Sequence, residues 1–208
     1  MARMIAAASM AALEEAVAAV ERGEVIAIPT ETVYGLAVLP RDATLDRLIA
    51  AKRRSAEKGI QLLVDSVEQA RSVAVFTPDA DRLAERFWPG ALTIVVERRA
   101  DVDLPALLGG GRATLGIRLP DHPVPRALAR ALGPIAASSA NISGAPDATT
   151  ADSVAATLGD VVSLIIDDGP VRGGEPSTVV DCTTAATSGS RVLREGAITA
   201  AEIEAALR

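Results

Sequence analysis

The sequence predicts an α/β fold in which a twisted, open, mixed sheet is flanked by helices. Its 208 residues are 49% hydrophobic and 23% charged, a composition typical of folded globular chains and not of disordered ones. Apolar segments of strand length alternate with segments of helical spacing from one end to the other. The loosest stretches, residues 98–112 and 183–190, are too short to be convincing linkers. We therefore expect one domain over residues 1–208.

The N-terminal segment superficially resembles a secretory signal, but it is mostly alanine and two glutamates follow it directly. We interpret it as a lead into an amphipathic helix that ends at Gly23. Pro78 suits the first turn of a later helix, and Gly133 and Gly159 suit helix ends. Helices are predicted around residues 9–22, 43–52, 66–73, 79–87, 124–132, 151–158 and 199–207.

Short apolar runs between these helices predict the strands of the sheet. Alternation within one of them places Thr114, Gly116 and Arg118 on a single face, so that Thr114 and Arg118 can reach the same cleft. Strands are predicted at residues 25–28, 60–64, 92–97, 113–118, 135–138, 161–167, 178–181 and 191–193.

Composition excludes several classes of function. Aromatic residues make up 2% of the chain and the formal net charge is −6, which argues against base stacking and against general phosphate-backbone binding. The single Cys182 cannot form an internal disulfide, and no Cys/His cluster has metal-ligand spacing. We expect a cytoplasmic protein with no membrane span, because no apolar run approaches the about 18 residues that a bilayer requires.

The common catalytic motifs are absent from the sequence. It contains no phosphate-binding loop of the G-x-x-x-x-G-K-[ST] type, no G-x-G-x-x-G and no H-E-x-x-H. His122 is the only histidine, and the sequence has no G-x-S-x-G motif whose serine it could activate as a general base. We interpret His122 as a polar turn residue before a helix.

Polar segments instead follow several of the predicted strands, where a rigid scaffold displays functional groups. One of them, residues 52–58, carries four cations in seven residues and contains Lys52 and Lys58, the only lysines beside 19 arginines. Such a loop is either a solvated basic turn or a phosphate site. Together the segments indicate a cleft lined by hydroxyls, amides and cations, which suits anions.

Seven of these segments carry a specific resemblance. They are P-T-E-T-V-Y-G-L at 29–36, K-x-R at 52–54, F-W-P-G-A-L-T at 87–93, G-I-R-L-P-D-H-P at 116–123, S-S-A-N-I-S-G at 138–144, S-T-V-V-D at 177–181 and L-R-x-G-x-I at 193–198. In this order the combination resembles the YrdC/Sua5 family, from about residue 25 to residue 198. The length is similar to that of the short, single-domain bacterial form.

The resemblance implies a YrdC-like sheet with a concave basic cavity and the activity of an L-threonylcarbamoyladenylate synthase. Such an enzyme converts L-threonine, bicarbonate and ATP into threonylcarbamoyl-AMP and pyrophosphate. A separate transferase complex then carries the threonylcarbamoyl group to adenosine 37 of tRNA, and weak contact of this protein with tRNA is compatible with that role. The resemblance also implies Mg²⁺ held mainly by the ATP phosphates, with no metal site on the protein.

Positions that match the family motifs imply two binding sites. Arg118 is expected to pair with the threonine carboxylate, while Lys52 and Arg54 are expected to be catalytic. The implied threonine-binding residues are Thr32, Leu63, Arg118, Ala137 and Ser177, of which Leu63 and Ala137 act through the main chain. The implied ATP-binding residues are Lys52, Arg54, Lys58, Thr114, Ser139, Asn141 and Arg194, with a role for Asp147 left open.

Two positions depart from the family pattern. Gly59 stands where many members have proline, which predicts a more flexible turn and a less fixed Lys58. Pro176 separates Glu175 from Ser177, so the carboxylate is displaced by one position.

Two alternatives compete with this assignment. The first is an RNA-binding module that holds tRNA or rRNA on a concave basic surface, against which the acidic net charge and the few aromatic residues weigh. The second is the carbamoyl-transfer domain of hydrogenase maturation proteins, which resembles this family; those chains are much longer and carry cysteine-rich zinc modules, so a single cysteine in 208 residues argues against it.

Overall fold

A computed structural model describes residues 2–55, 57–183 and 189–208 of the chain. These residues form an eleven-stranded mixed sheet with helices on both faces, which confirms the predicted fold class. The helices are α1 (Ala12–Glu21), α2 (Asp42–Lys52), α3 (Val67–Val73), α4 (Pro78–Phe87), α5 (Pro123–Leu132), α6 (Ala151–Leu158) and α7 (Ala200–Leu207). The strands are β1 (Arg3–Ala6), β2 (Ile26–Ile28), β3 (Gly35–Val38), β4 (Gln61–Leu63), β5 (Ala74–Val75), β6 (Leu92–Arg98), β7 (Thr114–Arg118), β8 (Ile135–Ser139), β9 (Leu164–Asp167), β10 (Thr178–Asp181) and β11 (Arg191–Arg194).

The strands lie in the order β1-β9-β2-β3-β8-β4-β7-β6-β10-β11, and β5 pairs with β6. Pairing is parallel between β1 and β9, β2 and β9, β4 and β7, and β6 and β10. The other pairs are antiparallel. Within the described ranges, none of the helices combines the length and apolar character that crossing a bilayer requires.

Sequence reasoning missed strands β1, β3 and β5. The sequence predicts that residues 3–6 are a short segment preceding the first helix, but in the structure they pair in parallel with β9 at the edge of the sheet. This pairing is between distant parts of the chain, so an alanine-rich segment gives no local sign of it.

Strand β9 also starts three residues later than predicted, because the amides of Val161 and Val162 bond to the carbonyl of Leu158 at the end of α6. Residues 184–188 of the loose stretch 183–190 lie outside the described part.

Alternation along the strands divides the apolar side chains between two cores. In β2, Ile26 and Ile28 belong to one core and Ala27 to the other. Helices α2, α3, α4, α6 and α7 cover the larger core, whereas α1 and α5 cover the smaller one. The smaller core lies over β2, β3, β8 and β9 and the end of β4, so these two helices leave the same face of β6, β7 and β10 without a helical cover.

A long connection between β9 and β10 crosses the end of the sheet. The Tyr34 hydroxyl donates to the carbonyl of Gly169 at 2.8 Å and accepts from the amide of Asp168 at 3.2 Å. Further along, the amides of Gly173 and Gly174 donate to the carbonyls of Glu31 and Thr32 at 3.1 and 2.9 Å. The connection is thereby fixed to the segment after β2, and this places Ser177 beside it.

We expect Tyr34→Phe to lower the free energy of unfolding by about 0.5–1.5 kcal/mol, because the hydrogen bonds to the half-buried Gly169 carbonyl and from the Asp168 amide are lost. Tyr34 is fully buried, and phenylalanine keeps its ring packing. Urea denaturation followed by circular dichroism measures the change. A midpoint equal to that of the wild type would show that the hydroxyl does not hold the connection.

Candidate active site

A cleft of about 480 Å³ occupies the part of the sheet face that α1 and α5 leave open. Every second residue of the underlying strands faces the cleft and forms its floor, as Thr93, Thr114 and Gly116 do. The residues between them face the larger core. This confirms the predicted common face of Thr114, Gly116 and Arg118. Among the described residues, six cations and one carboxylate line the cleft: Lys52, Arg54, Lys58, Arg112, Arg118, Arg194 and Asp147. The cleft is therefore strongly basic in a chain of net charge −6.

Lys52 is the last residue of α2 and is only 3% exposed. Its Nζ donates to the carbonyl of Ser139, and to the carbonyl and Oδ1 of Asn141 at 2.9 and 2.8 Å. Burial and the neighbouring Arg54 lower the pKa of Lys52 to about 8, against a smaller opposite effect of Asp147. At neutral pH the side chain is thus a positive charge held at a fixed point.

Arg53 ends α2 in the left-handed conformation, with φ of 49°, and turns the chain so that Arg54 enters the cleft. Nη1 of Arg54 donates to Ser138 Oγ at 2.7 Å, and Nη2 donates to the carbonyls of Lys58 and Gly59 at 3.0 and 2.6 Å. Burial and, to a lesser degree, Arg194 lower the pKa of the Arg54 guanidinium. Arg54 therefore holds the basic loop, of which residues 53–55 and 57–59 are described, against β8.

Gly59 allows the basic loop to contact a second loop closely. A Cβ at this position would lie 2.9 Å from the carbonyl oxygen of Leu108, and the amide of Ile60 donates to that same oxygen at 2.8 Å. The turn at Gly59 is held on both sides, by Leu108 and by Arg54, and its greater flexibility stays a prediction. The structure thus gives the glycine a packing role.

The second loop is a glycine turn, residues 109–111, which follows a short 3₁₀ helix at Ala106–Gly109. Gly110 and Gly111 have φ of 61° and 83°, a conformation that strains other residues. A Cβ on Gly110 would collide with the carbonyl oxygen of Glu57, whereas one on Gly111 would meet nothing within 4 Å. The basic loop and the glycine turn therefore form one wall of the cleft.

Arg118 lies at the end of β7 and is 2% exposed. Its Nη2 donates to Glu31 Oε1 at 2.7 Å and to Thr32 Oγ1 at 2.9 Å, and its Nε donates to the carbonyl of Gly90 at 3.1 Å. Nη1 makes no hydrogen bond among the described residues. The guanidinium is thus fixed on one side and free to bind an anion on the other.

Two further hydroxyl groups and an amide line the same cleft and are hydrogen-bonded to one another. Ser177 Oγ lies 2.8 Å from Thr93 Oγ1, which donates to Gln61 Oε1 at 2.8 Å. Arg194 on β11 donates from Nη2 to the carbonyl of Ser177 at 2.6 Å. The hydroxyls and the amide provide hydrogen bonds for a small polar molecule beside Arg118.

Most residues implied by the family resemblance come together in this cleft. Thr32 stands behind Arg118, and Leu63 does not line the cleft, because its side chain packs in the smaller core. The backbone of Leu63 pairs in register with Arg118, so its implied role stays a prediction about the main chain. The implied residues that line the cleft are Lys52, Arg54, Lys58, Thr114, Arg118, Ala137, Ser139, Asn141, Ser177 and Arg194.

Sequence reasoning missed Arg112, Gln61, Thr93 and Ser143, all of which line the cleft. The alternation that placed Thr114 on the cleft face also predicts Thr93 on β6. Arg112 follows three consecutive glycines. This glycine run predicts an unusual turn and was the one signal in the sequence that could have drawn attention to Arg112.

Other polar residues lie outside the cleft. His122 Nδ1 accepts from the Val124 amide at 3.2 Å and caps α5, which confirms its interpretation as a turn residue before a helix. Glu175 is exposed and does not line the cleft. Cys182 is buried, and its burial raises the pKa of the thiol to about 11, so the reactive thiolate is scarce.

Comparisons with known proteins agree with this geometry. The family model for Sua5/YciO/YrdC proteins, described as telomere recombination, matches residues 18–196. The chain therefore belongs to the Sua5/YciO/YrdC family.

Two curated relatives cover most of the chain. It is 38% identical over 198 residues to the threonylcarbamoyl-AMP synthase of Bacillus subtilis, and the alignment covers 94% of this chain and 56% of that protein. It is 39% identical over 180 residues to the threonylcarbamoyl-AMP synthase of Chromohalobacter salexigens, and this alignment covers 84% of this chain and 95% of that protein. The chain thus spans little more than half of the first relative and nearly all of the second.

Two solved structures share the fold. Pyrococcus abyssi Sua5 complexed with L-threonine is 36% identical, with a TM-score of 0.86 over 93% of this chain and 56% of that one. Escherichia coli YciO is 26% identical, with a TM-score of 0.82, and the match covers 94% of this chain and 96% of that one.

Gly110→Ala and Gly111→Ala form a matched pair that tests the wall of the cleft. Both substitutions impose the same left-handed strain, which costs about 1–2 kcal/mol, but only an alanine at 110 displaces Glu57 and the basic loop. We expect Gly110→Ala to lose more stability than Gly111→Ala in thermal unfolding, because the collision with the Glu57 backbone adds to the strain that both variants share. Calorimetric titration with inorganic triphosphate should show weaker binding for Gly110→Ala alone. Equal weakening in both would contradict the packing of the two loops.

Proposed function

We propose that this protein is an L-threonylcarbamoyladenylate synthase, a nucleotidyltransferase that converts L-threonine, bicarbonate and ATP into threonylcarbamoyl-AMP and pyrophosphate. The proposal rests on one observation: a single cleft contains both a buried arginine with a free donor, Arg118, and several fixed cations. The arginine suits the carboxylate of an amino acid, and the cations suit a triphosphate. The names of the curated relatives and the threonine bound to the Pyrococcus protein support the assignment.

The amino-acid end of the cleft is centred on Arg118. Its free Nη1 is in position to donate to the threonine carboxylate, while Glu31 and Thr32 hold the opposite side of the guanidinium. Ser177, with Thr93 beside it, offers hydroxyls to the remaining polar groups of the substrate. The arrangement fixes the amino acid so that its nitrogen, carboxylated by CO₂ or bicarbonate, faces the nucleotide.

The nucleotide end contains Lys52, Arg54 and the polar groups of β8 and the loop after it. An oxygen of the N-carboxylate attacks the α-phosphorus, and the bond to the pyrophosphate breaks. Negative charge from both substrates and the bicarbonate meets here, so the principal tasks are alignment and charge neutralisation. Fixed cations perform both tasks, and no histidine or cysteine lines the cleft in the described part of the chain.

The donor set of the cleft fits ATP that arrives with Mg²⁺. Asp147 is the one carboxylate among the lining residues described, and no cluster of three metal-binding side chains occurs in the ranges 2–55, 57–183 and 189–208. Mg²⁺ is commonly held by one or two carboxylates together with substrate phosphates. Asp147 would then be the protein's contribution to a metal ion that supplies charge neutralisation at the phosphates.

The product is proposed to pass to a threonylcarbamoyl transferase complex that modifies tRNA in the cytoplasm. Weak direct contact with tRNA is compatible with the basic cleft. An RNA-binding module is not favoured, because the matched relatives are named as synthases and the cleft offers an amino-acid site beside the cations. Tight tRNA binding in the absence of ATP would reverse this preference.

Pyrophosphate release tests the proposal. We expect release from ATP only when both L-threonine and bicarbonate are present, measured with a coupled phosphate assay. Arg54→Ala should lower turnover at least about tenfold, because a charge-assisted contact to phosphate is lost. Release that is indifferent to threonine would exclude this reaction.

Affinity for MgATP should depend on the charge of Lys52. With a pKa of about 8, the ammonium is present at pH 7 and is lost as the pH rises through 8, so affinity should fall by about tenfold between pH 7 and pH 9. In Lys52→Arg the charge persists over this range, and we expect a flat profile at lower overall affinity. Calorimetric titration of both proteins across the range measures the difference. A flat profile in the wild type would show that Lys52 does not contribute charge to binding.

A further inference from the structure

Two of the six cations in the cleft have no side-chain partner among the residues described. Lys52, Arg54, Arg118 and Arg194 each donate hydrogen bonds to protein oxygens. The side chains of Lys58 and Arg112 make no hydrogen bond or ion pair in the part of the chain that the structure describes. All of their donors are therefore available to a ligand.

Both unpartnered cations belong to the same wall of the cleft. Lys58 lies on the basic loop, and Arg112 directly follows the glycine turn that packs against it. The Ile60 amide bonds to the Leu108 carbonyl, and Gly110 closely approaches the carbonyl of Glu57. The two side chains thus start from loops that are held together, and they can act on one anion.

The direction of β7 separates this wall from the amino-acid end. Arg118 is the last residue of β7 and Thr114 is the first, so about 13 Å of strand lies between them at about 3.3 Å per residue. Arg112 precedes Thr114 by two residues. A molecule bound by both arginines must extend along the strand.

In the proposed reaction the leaving group has a fixed direction. The nucleophile and the leaving oxygen lie on opposite sides of the phosphorus in an in-line displacement. Because the carboxylated amine is held near Arg118, the pyrophosphate leaves on the side of the phosphorus away from Arg118, and the start of β7 is the end of this strand farther from Arg118. That is the end at which the two unpartnered cations lie.

We propose that Arg112, together with Lys58, binds the pyrophosphate leaving group. The inference rests on the proposed function and adds to it a residue that the family motifs do not contain. As the bond from the nucleophile oxygen to the α-phosphorus forms, the bond to the bridging oxygen breaks and its electron pair stays on the pyrophosphate. Arg112 supplies a planar fork and Lys58 a point charge to the oxygens that gain this charge.

Inorganic pyrophosphate is the probe for the test. We expect calorimetric titration to show that Arg112→Ala binds it about tenfold to a hundredfold more weakly than the wild type, the range for one charge-assisted contact. Product inhibition by pyrophosphate should weaken to the same extent. The dissociation constant for L-threonine, measured separately, should not change.

Arg130→Ala is the matched control, since Arg130 lies on α5, outside the cleft, and is paired only with Asp65 on the surface. It removes the same charge from the chain and should leave pyrophosphate binding at the wild-type value. Arg112→Gln provides a second variant if the alanine protein does not fold. Arg112 variants that bind pyrophosphate as tightly as the control would overturn the proposal. Failure of the wild type to release pyrophosphate would instead count against the proposed function, and the titration would still decide whether Arg112 binds the anion.

Discussion

The ion pair between Arg118 and Glu31 is the interaction on which the amino-acid half of the site depends. A buried guanidinium without a partner is costly, and Glu31 and Thr32 satisfy one side of it at 2.7 and 2.9 Å. The same two residues accept backbone hydrogen bonds from Gly173 and Gly174 through their carbonyls. The pair therefore also fixes the connection that carries Ser177, so the carboxylate donor and the hydroxyl beside it are positioned by one short segment.

Electrostatic repulsion governs the nucleotide half. Several cations share a cleft with a single carboxylate, and like charges at short distance destabilise one another. Carbonyl, hydroxyl and amide oxygens reduce this cost, as around Lys52 and Arg54. The lysine at position 52 has a physical reason in an arginine-rich chain. Its compact ammonium donates to several oxygens of Ser139 and Asn141 at once, an arrangement that suits a point charge better than a planar guanidinium fork. A bound anion would neutralise the remaining charge.

The cleft exists because the two faces of the sheet are covered unequally. Five helices cover the larger core, but α1 and α5 cover only part of the other face. The remaining part, above β6, β7 and β10, combines small or polar residues such as Thr93, Gly116 and Ser177 with Val95 and Val179. Apolar residues of the same strands face the larger core, so one alternating pattern stabilises the fold and forms the floor of the site.

The sequence by itself determined the α/β class, most helices and strands, and the polar segments that line the cleft, because these depend on local periodicity and on motifs. Alternation alone placed Thr114 and Arg118 on one face. Only the tertiary structure decided the edge position of β1, the pairing of Glu31 with Arg118 and the entry of Arg112 into the cleft. Each of these depends on contacts between residues far apart in the chain, and no local pattern records which distant segment will pack against another.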